Sequence, residues 1–252
     1  MSIIKAFLAC FSTYSRIPMP RVDLDSNDMK YSFVFFPFIG AVIGIIQYLL
    51  YVLAYEFSLP RFILAIVSAV VPILITGGIH IDGYMDTMDA FSSFGNKEKK
   101  LQIMKDPHAG AFAVIYLLVY EMLYVACIYM MSDKGIILFS MSFILSRILS
   151  GIAVCTLKNA KSDGMLHSVS ENSAKDQVFF VLVLMFILAI VYLCTLNLVP
   201  GIVTGLTLIS MFFIYKRKCY KALDGTTGDT AGYYLCMMEL VMAFIAAIVS
   251  VI

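Results

Sequence analysis

Long apolar runs separated by short polar clusters dominate this chain. A helix needs about 20 apolar residues to cross a bilayer. Seven such runs can be read, roughly at 32–55, 60–79, 110–132, 135–156, 176–196, 199–215 and 230–252. Phe33-Val34-Phe35-Phe36 opens the first, and Val178 to Tyr192 forms an uninterrupted apolar core in the fifth. The stretch Ile3 to Tyr14 is too short to span and predicts an interfacial or re-entrant helix. A secretory signal is not expected there, because no small-residue cleavage site follows. Cys10 does not suggest a lipoprotein site, since the apolar region before it is too brief. The expectation is an all-α, polytopic membrane bundle. It has about seven transmembrane helices plus a short N-terminal helix, in a single membrane-embedded domain over residues 1–252.

Composition agrees with the pattern. Apolar residues make up 61% of the 252 positions and charged residues 14%, against about 45–50% and about 25% in soluble domains. Disorder, coiled coil, collagen and a nucleic-acid-binding surface are excluded, and the expected surrounding partner is a lipid bilayer. The net charge of +1 says little, but its distribution says more. Lys5, Arg16, Arg21, Lys30, Lys97, Lys99, Lys100, Lys105, Lys158, Lys161, Lys175, Lys216, Arg217, Lys218 and Lys221 all fall on one side of an alternating seven-span chain. Only Arg61 and Lys134 fall on the other, and Arg147 lies inside the fourth run. The positive-inside rule makes the first side cytoplasmic and places the C-terminus outside. The six cysteines show no metal-binding spacing and read as small apolar packing residues.

The acids follow the bases. Only Glu56 and Asp133 fall outside, while Glu121 and Glu239 lie within spans. His80, His108 and His167 are all on the cytoplasmic side. The densest segment is Gly77-Gly78-Ile79-His80-Ile81-Asp82-Gly83-Tyr84-Met85-Asp86-Thr87-Met88-Asp89. On a helix, Asp82, Asp86 and Asp89 share one face. No Lys or Arg occurs between Arg61 and Lys97 to balance them. A cation would, and oxygen-only ligands favour Mg²⁺; the plainer alternative is a solvated helix end. A second cluster, Asp224-Gly225-Thr226-Thr227-Gly228-Asp229-Thr230, precedes the last run. Backbone N–H groups around Thr227 and Gly228 at a helix start would suit phosphate, and Asp229 would suit metal; a turn and N-cap reads equally well. Lys105, before the third run, would neutralise phosphate oxygens or simply anchor the loop. Arg147 is costly in lipid. It would pair with Glu121 or Glu239, or else meet phosphate. Carboxylates beside basic residues at a membrane surface suit pyrophosphate chemistry.

Taken together, these motifs resemble the cobalamin synthase family, the adenosylcobinamide-GDP ribazoletransferases. The GGxHxDGxxDTxD element is matched by Gly77, Gly78, His80, Asp82, Gly83, Asp86, Thr87 and Asp89. Arg16-Ile17-Pro18-Met19-Pro20, Phe36-Pro37 with Gly40 and Gly44, Met104-Lys105-Asp106 with Gly110-Ala111, Ser146-Arg147, and Thr227-Gly228-Asp229-Thr230 with Gly232 and Glu239 follow in the family's order. Asp224-Gly225 stands where the family more often has Gly-Gly. Tyr233-Tyr234 replaces smaller residues, and Lys158-Asn159-Ala160 replaces an Arg-containing segment.

The resemblance implies a transferase that joins adenosylcobinamide-GDP to α-ribazole, or its 5′-phosphate. GMP leaves in this last step of cobalamin nucleotide-loop assembly. It implies Mg²⁺ on Asp82 and Asp86, with Asp89 a further ligand or the base and His80 a positioning group or the base. Asp229 would be a further ligand. Lys105, Asp106, Arg147, Arg16, Thr227 and Gly228 would bind substrate. It implies a bacterial or archaeal cell membrane with the site on the cytoplasmic side; a homo-oligomer is compatible with it. Two rivals fit less well. A UbiA-type prenyltransferase needs two NDxxD motifs, and Asn-Asp occurs only at Asn27-Asp28. A secondary transporter would show repeated halves, and no internal repeat is found.

Overall fold

The computed structural model describes residues 3–23, 28–160 and 174–251. Asn27, Lys161, His167 and Ile252, which enter the sequence reading, lie outside these. Every regular element among the described residues is helical. They are α1 (Ile3–Tyr14), a 3₁₀ turn (Asp28–Tyr31), α2 (Ser32–Glu56), α3 (Arg61–Thr76), α4 (Ile79–Ser92), α5 (Lys97–Ile103), α6 (Ala111–Tyr129), α7 (Asp133–Thr156), α8 (Lys175–Leu196), α9 (Leu198–Leu223) and α10 (Gly228–Val251).

Six of these, α2 and α6 to α10, are long and apolar enough to cross a membrane. The expected span at 60–79 needs correcting. Its helix α3 stops at Thr76, and α4 leaves it at 97°. Gly77 and Gly78 both take left-handed backbone angles, with φ of 66° and 81°. Only glycine enters that region without strain. The apolar run continues through Ile79, which hides the break in a hydropathy reading. The sixth span is also longer than its apolar core: α9 continues past residue 215, where the apolar run ends, through Lys216, Arg217, Lys218 and Lys221. The helix α5 falls in a polar loop where no element was expected.

The core is organised on α7, which is buried along most of its length. Helix α2 crosses it closely. A Cβ on Gly40 would stand 2.1 Å from the Phe143 carbonyl oxygen, and one on Gly44 2.4 Å from that of Ser140. Small residues allow such approach where apolar burial gives helices in lipid no reason to associate. Helix α7 also packs on α10. There Arg147, fully buried, pairs with Glu239, and its Nη1 also donates to the Phe143 carbonyl (3.0 Å) and the Ser146 hydroxyl (3.1 Å). The Phe36 and Phe143 rings lie about 6 Å from the guanidinium carbon. The 12-residue α1 does not have the length to cross. It buries Ala6, Ala9, Cys10, Phe11 and Tyr14 against the start of α2. All six cysteines are free thiols.

Candidate active site

The site forms where three chain ends meet. The first turn of α4 carries His80 and Asp82, with the acid at the helix end whose dipole favours it. It crosses the first turn of α10 closely. A Cβ on Gly83 would lie 2.8 Å from the Asp229 carbonyl oxygen, and one on Gly232 2.8 Å from that of His80. This contact brings Asp82 and Asp229 onto the wall of one cavity of about 200 Å³, with His80, Gly228, Tyr14, Phe33, Phe36 and Ser150. The third chain end is the segment after α1. The Arg16 backbone N–H donates to the Ile75 carbonyl (2.7 Å), fixing this segment to the end of α3. The Arg16 side chain lies over Gly77, its Nε 2.4 Å from where a Cβ would stand. Arg16, Gly77, Gly78 and Asp82 border an open cleft of about 600 Å³. Asp82 thus belongs to both spaces.

The three carboxylates of α4 lie along one face of the helix. Seven residues of helix rise about 10 Å. Asp86 is half-buried one turn beyond Asp82. Asp89, two turns beyond, sets its carboxylate against Gly110 at the start of α6, its oxygens 2.1 and 2.3 Å from the place of a Cβ. Among the described residues no three His, Cys, Asp or Glu side chains gather around one point. Two carboxylates on one cavity wall are what the chain brings together.

Other expected residues are placed as follows. The start of α10 is a reciprocal cap. The Thr230 N–H donates to the Thr227 hydroxyl (3.1 Å), and the Thr227 N–H donates to the Thr230 hydroxyl (2.8 Å). The Thr227 hydroxyl is thereby occupied, whereas Gly228 is exposed at the cavity. Lys105 and Asp106 are exposed and border neither space. Asp106 accepts from the backbone N–H of His108 (2.9 Å) and contacts its ring (2.8 Å), and these bonds hold its carboxyl below the usual range. Arg147 makes the Glu239 pair rather than reaching the cavity. His80 borders the cavity and also a chamber of about 20 Å³ beside Tyr124, Arg147, Glu121 and Glu239.

Two of the three departures from the family pattern, at Asp224-Gly225 and Lys158-Asn159-Ala160, meet one another. Asp224 ends α9 in left-handed conformation with φ of 59°, a position that suits glycine and tolerates Asp. Its carboxylate meets Lys158 at 3.0 Å and Lys97 at 3.5 Å. The hydrogen bond from Lys158 is the chief reason its carboxyl sits below the ordinary range. Backbone bonds between Lys158 and Thr226, and between Ala160 and Thr226, join the same segments. The Lys158 side chain is thus used in architecture. Sequence reasoning missed Tyr14 and Ser150, which carry no local signal, and the role of Gly83 and Gly232 in joining two helices.

The profile of the family described as Cobalamin-5-phosphate synthase matches residues 6–247 of this chain. A protein of Lachnoclostridium phytofermentans named adenosylcobinamide-GDP ribazoletransferase is 38% identical over 250 residues, covering 99% of this chain and 95% of its own. One of the same name from Clostridium perfringens is 30% identical, covering 93% and 94%. Another, from Clostridium botulinum, is 28% identical and covers 98% of both. No solved structure matches the chain.

Proposed function

The chain belongs to the Cobalamin-5-phosphate synthase family, and we propose that it works through the Asp82–Asp229 cavity on the cytoplasmic side of a cell membrane. Its reaction joins adenosylcobinamide-GDP to α-ribazole with release of GMP. A ribose hydroxyl attacks the phosphorus that bears the cobinamide. The bond from that phosphorus to the bridging oxygen breaks, and GMP carries that oxygen away.

The observation that carries this reading is the crossing of α4 and α10 at Gly83 and Gly232, which sets two carboxylates on one wall. Hard oxygen donors suit Mg²⁺, which commonly takes one or two carboxylates and completes its shell with substrate phosphates and water. Asp82 and Asp229 would hold it, and when bound it neutralises charge on the diphosphate. Arg16 faces the adjoining cleft and meets phosphate oxygens there. The exposed first turn of α10 at Gly228 offers backbone N–H groups to the same anion. His80 stands at the cavity wall and takes the hydroxyl proton. Asp89, held at Gly110, positions the loop before α6.

The test is direct. Protein purified in detergent, given adenosylcobinamide-GDP, α-ribazole and Mg²⁺, releases GMP and forms adenosylcobalamin, and EDTA stops both. Full turnover in EDTA would remove the metal from the account.

A further inference from the structure

The cavity beside Asp82 and Asp229 has an aromatic wall that the phosphate chemistry does not use. Tyr14, Phe33 and Phe36 form a cluster with ring centroids 5.0 to 5.9 Å apart. The His80 ring meets Phe36 edge-on at 5.8 Å. All four line the cavity and are at least nine-tenths buried. Two hydroxyls share this wall, those of Tyr14 and Ser150, at 9% and 3% exposure. Among the described residues, the buried polar atom on this wall that lacks a partner is the His80 Nε2, and a Tyr and a Ser lining the same cavity add hydroxyls that can donate to or accept from a ligand's polar atoms.

The wall selects among the pieces of the two substrates. A corrin macrocycle does not fit about 200 Å³. Guanine carries donors and acceptors along its whole edge, and with Asp82 and Asp229 engaged by the metal and diphosphate, the remaining wall of His80, Tyr14 and Ser150 would leave most of them unpaired. The benzimidazole of α-ribazole is apolar apart from a single acceptor, the ring nitrogen not bonded to the sugar. Aromatic faces take a flat bicyclic ring by offset or edge contacts. We propose that this cavity seats the base of the ribazole acceptor against Tyr14 and Phe36. The Tyr14 hydroxyl donates to its free ring nitrogen, and Ser150 bonds the ribose. The assignment rests on the ribazoletransferase reading and makes Tyr14 a specificity-determining residue. It also places the attacking ribose beside the carboxylates that hold the diphosphate.

Steady-state kinetics of Tyr14→Phe, varying each substrate separately, tests this. The variant removes one oxygen and keeps the ring. KM for α-ribazole is expected to rise about three- to tenfold, the loss of one neutral hydrogen bond, with KM for adenosylcobinamide-GDP unchanged. The rise disappears with a riboside whose base lacks a free ring nitrogen. Equilibrium dialysis of α-ribazole against the purified protein gives a second reading that needs no turnover: binding weakens in Tyr14→Phe and is lost in Ser150→Leu, which fills the cavity. An unchanged KM for α-ribazole, or a rise confined to adenosylcobinamide-GDP, overturns the assignment. Wild-type protein that binds α-ribazole through Tyr14 but releases no GMP keeps the subsite and overturns the transferase reading instead.

Discussion

Arg147 and Asp89 show how burial separates architecture from chemistry at the scale of single residues. The Arg147 guanidinium is fully buried and its charge is answered by Glu239. Removing one member of a buried pair leaves the other uncompensated, at a cost of about 3–5 kcal/mol. Arg147→Ala is therefore expected to lower thermal stability by that amount in detergent. Normal melting would contradict the structural role. The sequence supplied both partners but left Glu121 and Glu239 open, because span registers do not fix which faces meet. Asp89 poses the opposite case. Its spacing from Asp82 and Asp86 suggested a shared ion, yet its carboxylate lies at Gly110. Asp89→Asn is expected to lower turnover without changing the Mg²⁺ concentration needed for half-maximal rate. Rescue by high Mg²⁺ would make it a ligand after all.

Among elements, α4 decides the site. Its existence was legible, since three carboxylates at helical spacing follow two glycines. Its direction was not. Hydropathy sees an apolar run to Ile79 and misses two left-handed residues that turn the chain by 97°. The crossing with α10 was likewise illegible, because contact between distant segments leaves no trace in periodicity. Gly83→Ala places a Cβ 2.8 Å from the Asp229 carbonyl oxygen, and backbone must move to admit it. The expected result is a loss of about 1–3 kcal/mol in stability, typical of overpacking, together with a drop in turnover as Asp82 and Asp229 separate. Wild-type activity in this variant would show that the crossing does not set the site.

For the whole molecule, the bundle was legible because apolar length is a direct physical demand of the bilayer. The six long helices and the bent α3–α4 pair match the seven apolar runs. Orientation rests on the fifteen Lys and Arg residues on one side against two on the other. Cysteine labelling of intact cells at Asn96 and near Lys134 tests it. The expected result is protection at Asn96 and labelling near Lys134, and the reverse pattern would place the site outside. The partnership of Asp82 and Asp229 was only half legible. Each residue stood out in its own motif, but nothing in sequence joined them.

That partnership is the central claim, and a double-mutant cycle on GMP release tests it most directly. Asp82→Asn and Asp229→Asn are each expected to slow the reaction at least about 10²-fold, since charge stabilisation by a bound metal contributes several kcal/mol. If both hold one ion on one diphosphate, the double variant is little slower than the slower single, because residues acting as a unit are not additive. Losses that multiply in the double variant, or full activity in either single, would contradict the shared site.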